Sequence, residues 1–243
     1  MSLKNPKEFL NKKVPFYGLL VLLIISALFS SSPAYNIGNI FFGGVARLYN
    51  VNLAQYFFLY ASYPLVGKST PYAHHQLSRT YFIQGDFDTA ISEANKELEI
   101  HPEDGGTYYI LGLTYGYMNQ EKKAIDSFSK YIDFNPKTWA ARNDKAWLQF
   151  RIGDIDGALA TISPVALNKN NPWVQNTLGT LFLNKKNYKG AQEAFLNAKR
   201  VADSMTEEEW GIGYPGNDPR IYNIGLSAMR KSIENNLKLL EKN

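Results

Sequence analysis

The sequence predicts an all-α chain in which antiparallel helix pairs stack into a solenoid, preceded by one transmembrane helix. Three observations carry this. Ala90, Ala124, Ala158 and Ala191 stand 34, 34 and 33 residues apart, and the residues around each recur in the same pattern. A fixed period of this length marks a repeat architecture, in which one unit can bury its apolar face only against the next. Pro102 and Pro136 stand one period apart; proline cannot continue a helix, so they punctuate the units. Finally, Val14 to Phe29 reads VPFYGLLVLLIISALF, free of charge and preceded by Lys4, Lys7, Lys12 and Lys13.

Composition agrees with a folded chain. Of 243 residues 45% are apolar and 14% aromatic, enough for a sizeable core. The formal net charge is +4, but the four lysines of residues 1–13 against Glu8 account for three of those charges. A nucleic-acid surface needs a concentrated basic face, so a nucleic-acid partner is not expected. There is no cysteine, which excludes disulfides, thiolate metal sites and a cysteine nucleophile.

Residues 1–13 read as a basic cytoplasmic tail and 14–34 as a signal anchor. A bilayer core takes roughly 17 to 25 residues of helix, so the run spans by borrowing from Ser30, Ser31 and Ser32. The lysines stay cytoplasmic by the positive-inside rule, which places everything after Ala34 outside the inner (cytoplasmic) membrane. A cleaved signal peptide, with Ser32-Pro33-Ala34 as its small-residue site, is the second reading, and a buried soluble helix the third. The first two agree on export.

The second copy of the repeat, 105–138, carries Tyr108, Leu111, Gly112 and Tyr115 on its first helix, Ala124 and Phe128 on its second, and Pro136 at its end. The first, 71–104, has Leu77, Tyr81, Gly85, Phe87, Ala90 and Pro102; the fourth, 172–203, has Leu178, Gly179, Phe182, Tyr188, Ala191, Phe195 and Ala198. The third, 139–171, keeps Ala146, Gly153, Ile155, Ala158 and Ile162 but has Lys145 in the leucine position. Period and signature positions resemble the tetratricopeptide repeat (TPR) over residues 71–203. Physically, the small residues let helices approach and the large ones fill the gaps between them.

The flanks fit more loosely. Residues 35–70 read as a divergent helical pair, with Ala54, Phe58 and Ala61 in second-helix phase. Residues 204–217 read as an insertion that breaks the period: Thr206 with Glu209 makes a capping box for a short helix bearing Trp210, and Gly213-Tyr214-Pro215-Gly216-Asn217 makes a turn. Trp210 and Tyr214 either contact a partner there or plug the solenoid end. Residues 218–243 read as a capping helix, opened by Asp218-Pro219, with Ile233, Leu237 and Leu240 inward and Lys231, Glu234, Asn235 and Lys238 toward water.

Chemistry has no visible carrier. Asp86-Phe87-Asp88 and Asp154-Ile155-Asp156 imitate a D-x-D metal motif, but they recur two periods apart and read as caps at the start of each second helix. His74 and His75 are adjacent, so on a helix they diverge by about 100° and do not chelate together. No catalytic residue, metal or cofactor is expected.

In TPR folds the first helices line a concave groove, and the resemblance implies groove positions at Tyr72, His75, Arg79 and Phe82; Tyr109 and Leu113; Ala140, Asn143, Trp147 and Phe150; and Trp173, Asn176, Thr180 and Leu183. Such a face suits an extended peptide or a partner helix, with aromatic anchors and amides that bond backbone. The subset of the family that holds acidic C-termini through lysine, asparagine and arginine is not matched, because His75, Arg79, Ala140 and Asp144 stand at those positions. The expectation is an envelope scaffold that binds a protein or peptide. A cell-wall or glycan binder is the alternative, and an enzyme the third reading, which a carboxylate cluster converging on His75 would favour.

Overall fold

The computed structural model describes residues 33–47, 50–62, 71–214 and 225–241, with side chains from Asn39 onward. The basic tail, the apolar run 14–29, the linker 63–70, the turn 215–217 and the Asp218-Pro219 helix start lie outside them. All elements among the described residues are helical. Among them no helix is long and apolar enough to cross a membrane.

The chain divides into two compact units, 1–110 and 111–243. In the first, α1 (Pro33–Arg47), α2 (Val51–Ser62), α3 (Ala73–Gln84) and α4 (Phe87–Ile100) pack consecutively, each on the next. Pro33 and Ala34, read from sequence as the end of the anchor, instead open α1, where proline is at home because its missing N–H has no helical partner to lose. Ala54, Phe57, Phe58 and Leu77 form the core here.

Helix α5 (Gly105–Tyr117) carries the division between Ile110 and Leu111. The second unit continues with α6 (Glu121–Phe134), α7 (Trp139–Arg151), α8 (Ile155–Ile162), α9 (Pro172–Asn184), α10 (Tyr188–Ser204), α11 (Glu207–Gly213) and α12 (Gly225–Leu240). Helix α8 is cut short by a 3-10 turn at Ser163–Val165, where Pro164 withholds its N–H.

The four phased alanines are all fully buried. Opposite them runs a second register of small and large partners. A methyl group added at Gly112 would stand 2.7 Å from the Phe128 ring, and one at Gly179 would stand 2.6 Å from Phe195. In the first unit Gly43 meets Phe58 in the same way, at 2.5 Å. Where the small position holds more than glycine, the large one shrinks: one period before Gly112 and Phe128 stand Ser78 and Ala94, and one period after stand Ala146 and Ile162, all fully buried. The pair Ala146 and Ile162 thus keeps nearly the summed volume of Gly112 and Phe128, as a close-packed interior demands, whereas Ser78 and Ala94 make a smaller pair.

Caps follow the residues that can supply them. Asp86 accepts from Thr89 N–H and Asp154 from Gly157 N–H, so both D-x-D segments are helix caps. Asn171 and Asn187 do the same for α9 and α10. The capping box of Thr206 and Glu209 is formed. Lys145, in the leucine position of the third repeat, is half-buried, and desolvation pulls its ammonium below the usual lysine range.

Helix α12 closes the second unit: Leu226 and Ile233 are fully buried, while Lys231, Glu234, Asn235 and Lys238 face water. The Glu207 carboxylate accepts the Leu226 and Ser227 N–H groups at the start of α12. Arg230 returns the favour by donating to the Ala202 and Met205 carbonyls at the end of α10.

Candidate functional site

Within the first unit, the residues expected in the groove are drawn into polar networks. Tyr72 is exposed and begins α3 in a left-handed conformation (φ 65°) with no side-chain cap. The buried Glu97 replaces that cap: its two oxygens accept the Tyr72 N–H (2.8 Å) and the His75 N–H (3.1 Å). Arg79 is half-buried beside Arg47, whose guanidinium is lowered to about 10 by burial and then by the Arg79 charge. Tyr109 is buried rather than presented to a ligand.

The adjacent histidines diverge. His74 Nδ1 meets Glu93 at 2.6 Å, while His75 Nδ1 lies 2.9 Å from Thr107 Oγ1 and 3.2 Å from Asp104 Oδ2. A carboxylate does converge on His75, but the group is not a nucleophilic triad. Thr107 and Asp104 share one ring nitrogen, whereas a relay needs them on opposite nitrogens, and Thr107 is fully buried. Burial alone would raise the Asp104 carboxyl; the hydrogen bonds from His75 and Thr107, the His75 charge and the Gly106 N–H outweigh it and hold the group below the usual carboxylate range.

This shift has a testable sign. A depressed folded-state pKa contributes stability that is fully present above the unfolded value, about 3.9 for aspartate, and is lost as pH falls through the lower folded value. Asp104→Asn is therefore expected to destabilise the chain near neutrality and to flatten the acid limb of its stability curve. Urea unfolding midpoints between pH 2 and pH 7 check it; parallel curves for the two chains refute it.

In the second unit a cleft of about 450 Å³ opens between α5, α6 and α7. Gly112, Gly116 and Leu148 line it, while Tyr117, Trp147 and Arg151 stand around it. Trp147 is 43% exposed and lies 5.3 Å from the Phe150 ring. Arg151 is held by Glu121 at 2.9 Å and by Asn119 at 2.9 Å. A recess of about 180 Å³ adjoins it, lined by Asn143, Trp173, Asn176 and Met229, with Asp144 and Trp147 bordering both spaces. Among the described residues Asn143 Oδ1, Asn176 Oδ1 and Trp173 Nε1 are buried with no hydrogen-bond partner.

The recess ends where the chain fills its own wall. Tyr214 stands edge-on to Trp139 (5.0 Å) and Trp173 (5.5 Å), which stack on each other at 5.4 Å. Its hydroxyl donates to Asp144 and accepts from Asn143 Nδ2 at 3.0 Å. Trp210 packs 6.2 Å from Trp173, and a methyl group at Gly213 would come 2.9 Å from that ring, so only glycine lets α11 lie this close. Trp210 and Tyr214, set out from sequence as an insertion contact, are thus buried in the chain's own core, because rings of this size gain more by burial than exposed positions allow. Sequence offsets missed Gly116, Tyr117 and Arg151; Gly116, one turn after Gly112, was the available signal.

Residues 106–138 match the tetratricopeptide repeat family. Solved TPR proteins share the architecture over most of their length. The fold is that of a tetratricopeptide-repeat protein. MamA AMB-1 matches with a TM-score of 0.59 at 17% identity, over 71% of this chain and 92% of its own. TTC0263, a thermophilic TPR protein of Thermus thermophilus, gives 0.52 at 17% identity, over 70% and 92%. YrrB, described as a TPR protein with an unusual peptide-binding site, gives 0.52 at 16% identity, over 71% and 91%. In sequence, the BBSome complex member BBS4 of Bos taurus is 26% identical over 151 residues, which is 62% of this chain and 27% of that relative. The chain thus spans about a quarter of the length of the curated relative it matches.

Proposed function

We propose that the chain is a non-catalytic binding scaffold whose second unit seats a protein segment in the cleft beside Trp147. The carrying observation is that tryptophan: 43% exposed, between two adjoining spaces that together can take an extended stretch of a few residues. An aromatic or aliphatic anchor would pack on its indole in the larger space, where such contacts dominate binding energy. In the smaller space, Asn143 and Asn176 would offer their carboxamide oxygens to backbone N–H groups, relieving acceptors that otherwise stay buried without a partner. The ligand stops at Tyr214. Two of the similar proteins, a peptide binder and a member of a complex, point the same way.

The same reading holds the scaffold at the inner membrane through residues 14–32, with the tail 1–13 cytoplasmic and the repeats outside. The uncharged run with four lysines on one side supports it. Crosslinking in membranes identifies the partner, and Trp147→Ala tests the cleft. Being exposed, this substitution should leave helicity intact while weakening capture by about 30-fold, the equivalent of about 2 kcal/mol for an aromatic hot spot. Undiminished capture of every partner by Trp147→Ala would place binding elsewhere.

A further inference from the structure

We infer that α1 and α2 lie on a lipid surface, with the outer face of α1 immersed at the boundary between acyl chains and headgroups. The inference rests on the reading that residues 14–32 occupy a bilayer.

The first observation is an exposed apolar face. A terminal repeat normally turns a polar face to water, as α12 does with its lysines and glutamate. Helix α1 turns out Phe41, 67% exposed, and Val45, 43% exposed, four residues apart and so on one face. Helix α2 adds Tyr56 at 62% and Tyr60 at 47%, spaced in the same way. Their neighbours Phe57 and Phe58 are buried, so the exposed rings are surplus to the core.

The second observation is charge. From Val14 to Gly67 the sole charged side chain is Arg47, and it is turned inward: its guanidinium donates to Gln76 at 2.7 Å, and it is half-buried. Nothing charged opposes contact between this pair and lipid. The third is position. The apolar run ends at Phe29, and α1 begins at Pro33, so the pair is tethered within a few residues of the proposed bilayer segment. At 15 and 12 residues the helices are too short to span, since about 20 are needed. Exposed phenylalanine with flanking tyrosines, on short helices, is the composition of an element lying in the interface. With no charge on the face, attachment should not require anionic lipid.

The chain has no cysteine, so single substitutions can be labelled uniquely. Full-length Phe41→Cys, Val45→Cys, Tyr56→Cys, Tyr60→Cys and, as a control in the other unit, Leu167→Cys are labelled with an environment-sensitive fluorophore and reconstituted with phosphatidylcholine vesicles. Flotation reports attachment; nitroxide-labelled acyl chains and aqueous iodide report depth. Labels at 41 and 45 should be quenched several-fold more by lipid nitroxide than the label at 167, with 56 and 60 intermediate. If the chain floats but iodide reaches 41 and 45 as readily as 167, this inference is overturned while the bilayer segment stands. If the chain does not float, both fall.

Discussion

Replacing Phe195 by alanine should cost about 3–5 kcal/mol of folding stability, the range for losing a buried phenylalanine. The side chain is fully buried among Ala191, Ala198, Trp210, Leu226 and Ile233, and its ring fills the hollow over Gly179. Removing it opens a cavity at the point where α9, α10 and α12 are joined. The reciprocal change, Gly179→Ala, forces a methyl group to within 2.6 Å of the ring, and overpacking of this kind costs about 1–3 kcal/mol. Urea unfolding of Phe195→Ala checks the first loss, and that of Gly179→Ala, of Phe195→Leu and of the Gly179→Ala/Phe195→Leu double variant measures the coupling. Additive losses in the double variant would show that the two positions do not read each other's volume.

The second large effect belongs to Glu97. Its carboxylate, buried within the first unit, is the cap that Tyr72 does not provide for α3. Glu97→Ala leaves two backbone donors without their acceptor, at about 1–3 kcal/mol for a buried one, and removes a negative charge from a helix N-terminus, at about 0.3–1 kcal/mol. Amide exchange at Tyr72 and His75 should accelerate in Glu97→Ala, and Glu97→Gln, which keeps one acceptor oxygen, should recover part of the loss. Unchanged exchange at both amides would assign the cap to another group.

The helical repeat was legible because it is local and periodic. Alanine spacing, prolines and the aspartate caps each act over a few residues, and counting along the chain exposes them. The compensation between Ala146 and Ile162 was present in the sequence too, but it shows only when a weak match to the pattern is read as a pair of volumes. What could not be read was the pairing of distant groups. Tyr214 meets Asn143 71 residues away, and this contact decides where the inner wall is open. Glu97 capping a helix whose N-cap residue lies 25 positions earlier follows no local motif either. Offsets place Asn143, Trp147 and Trp173 on one face; they do not reveal that the chain covers part of it.

The matched small and large positions also restrict how such a chain can change. A first helix bearing Gly112 or Gly179 accepts a phenylalanine opposite, while one bearing Ser78 or Ala146 does not. Single helices therefore cannot be traded between repeats without leaving a void or a collision. Whole pairs can be duplicated or moved, and drift within a pair must proceed through both members.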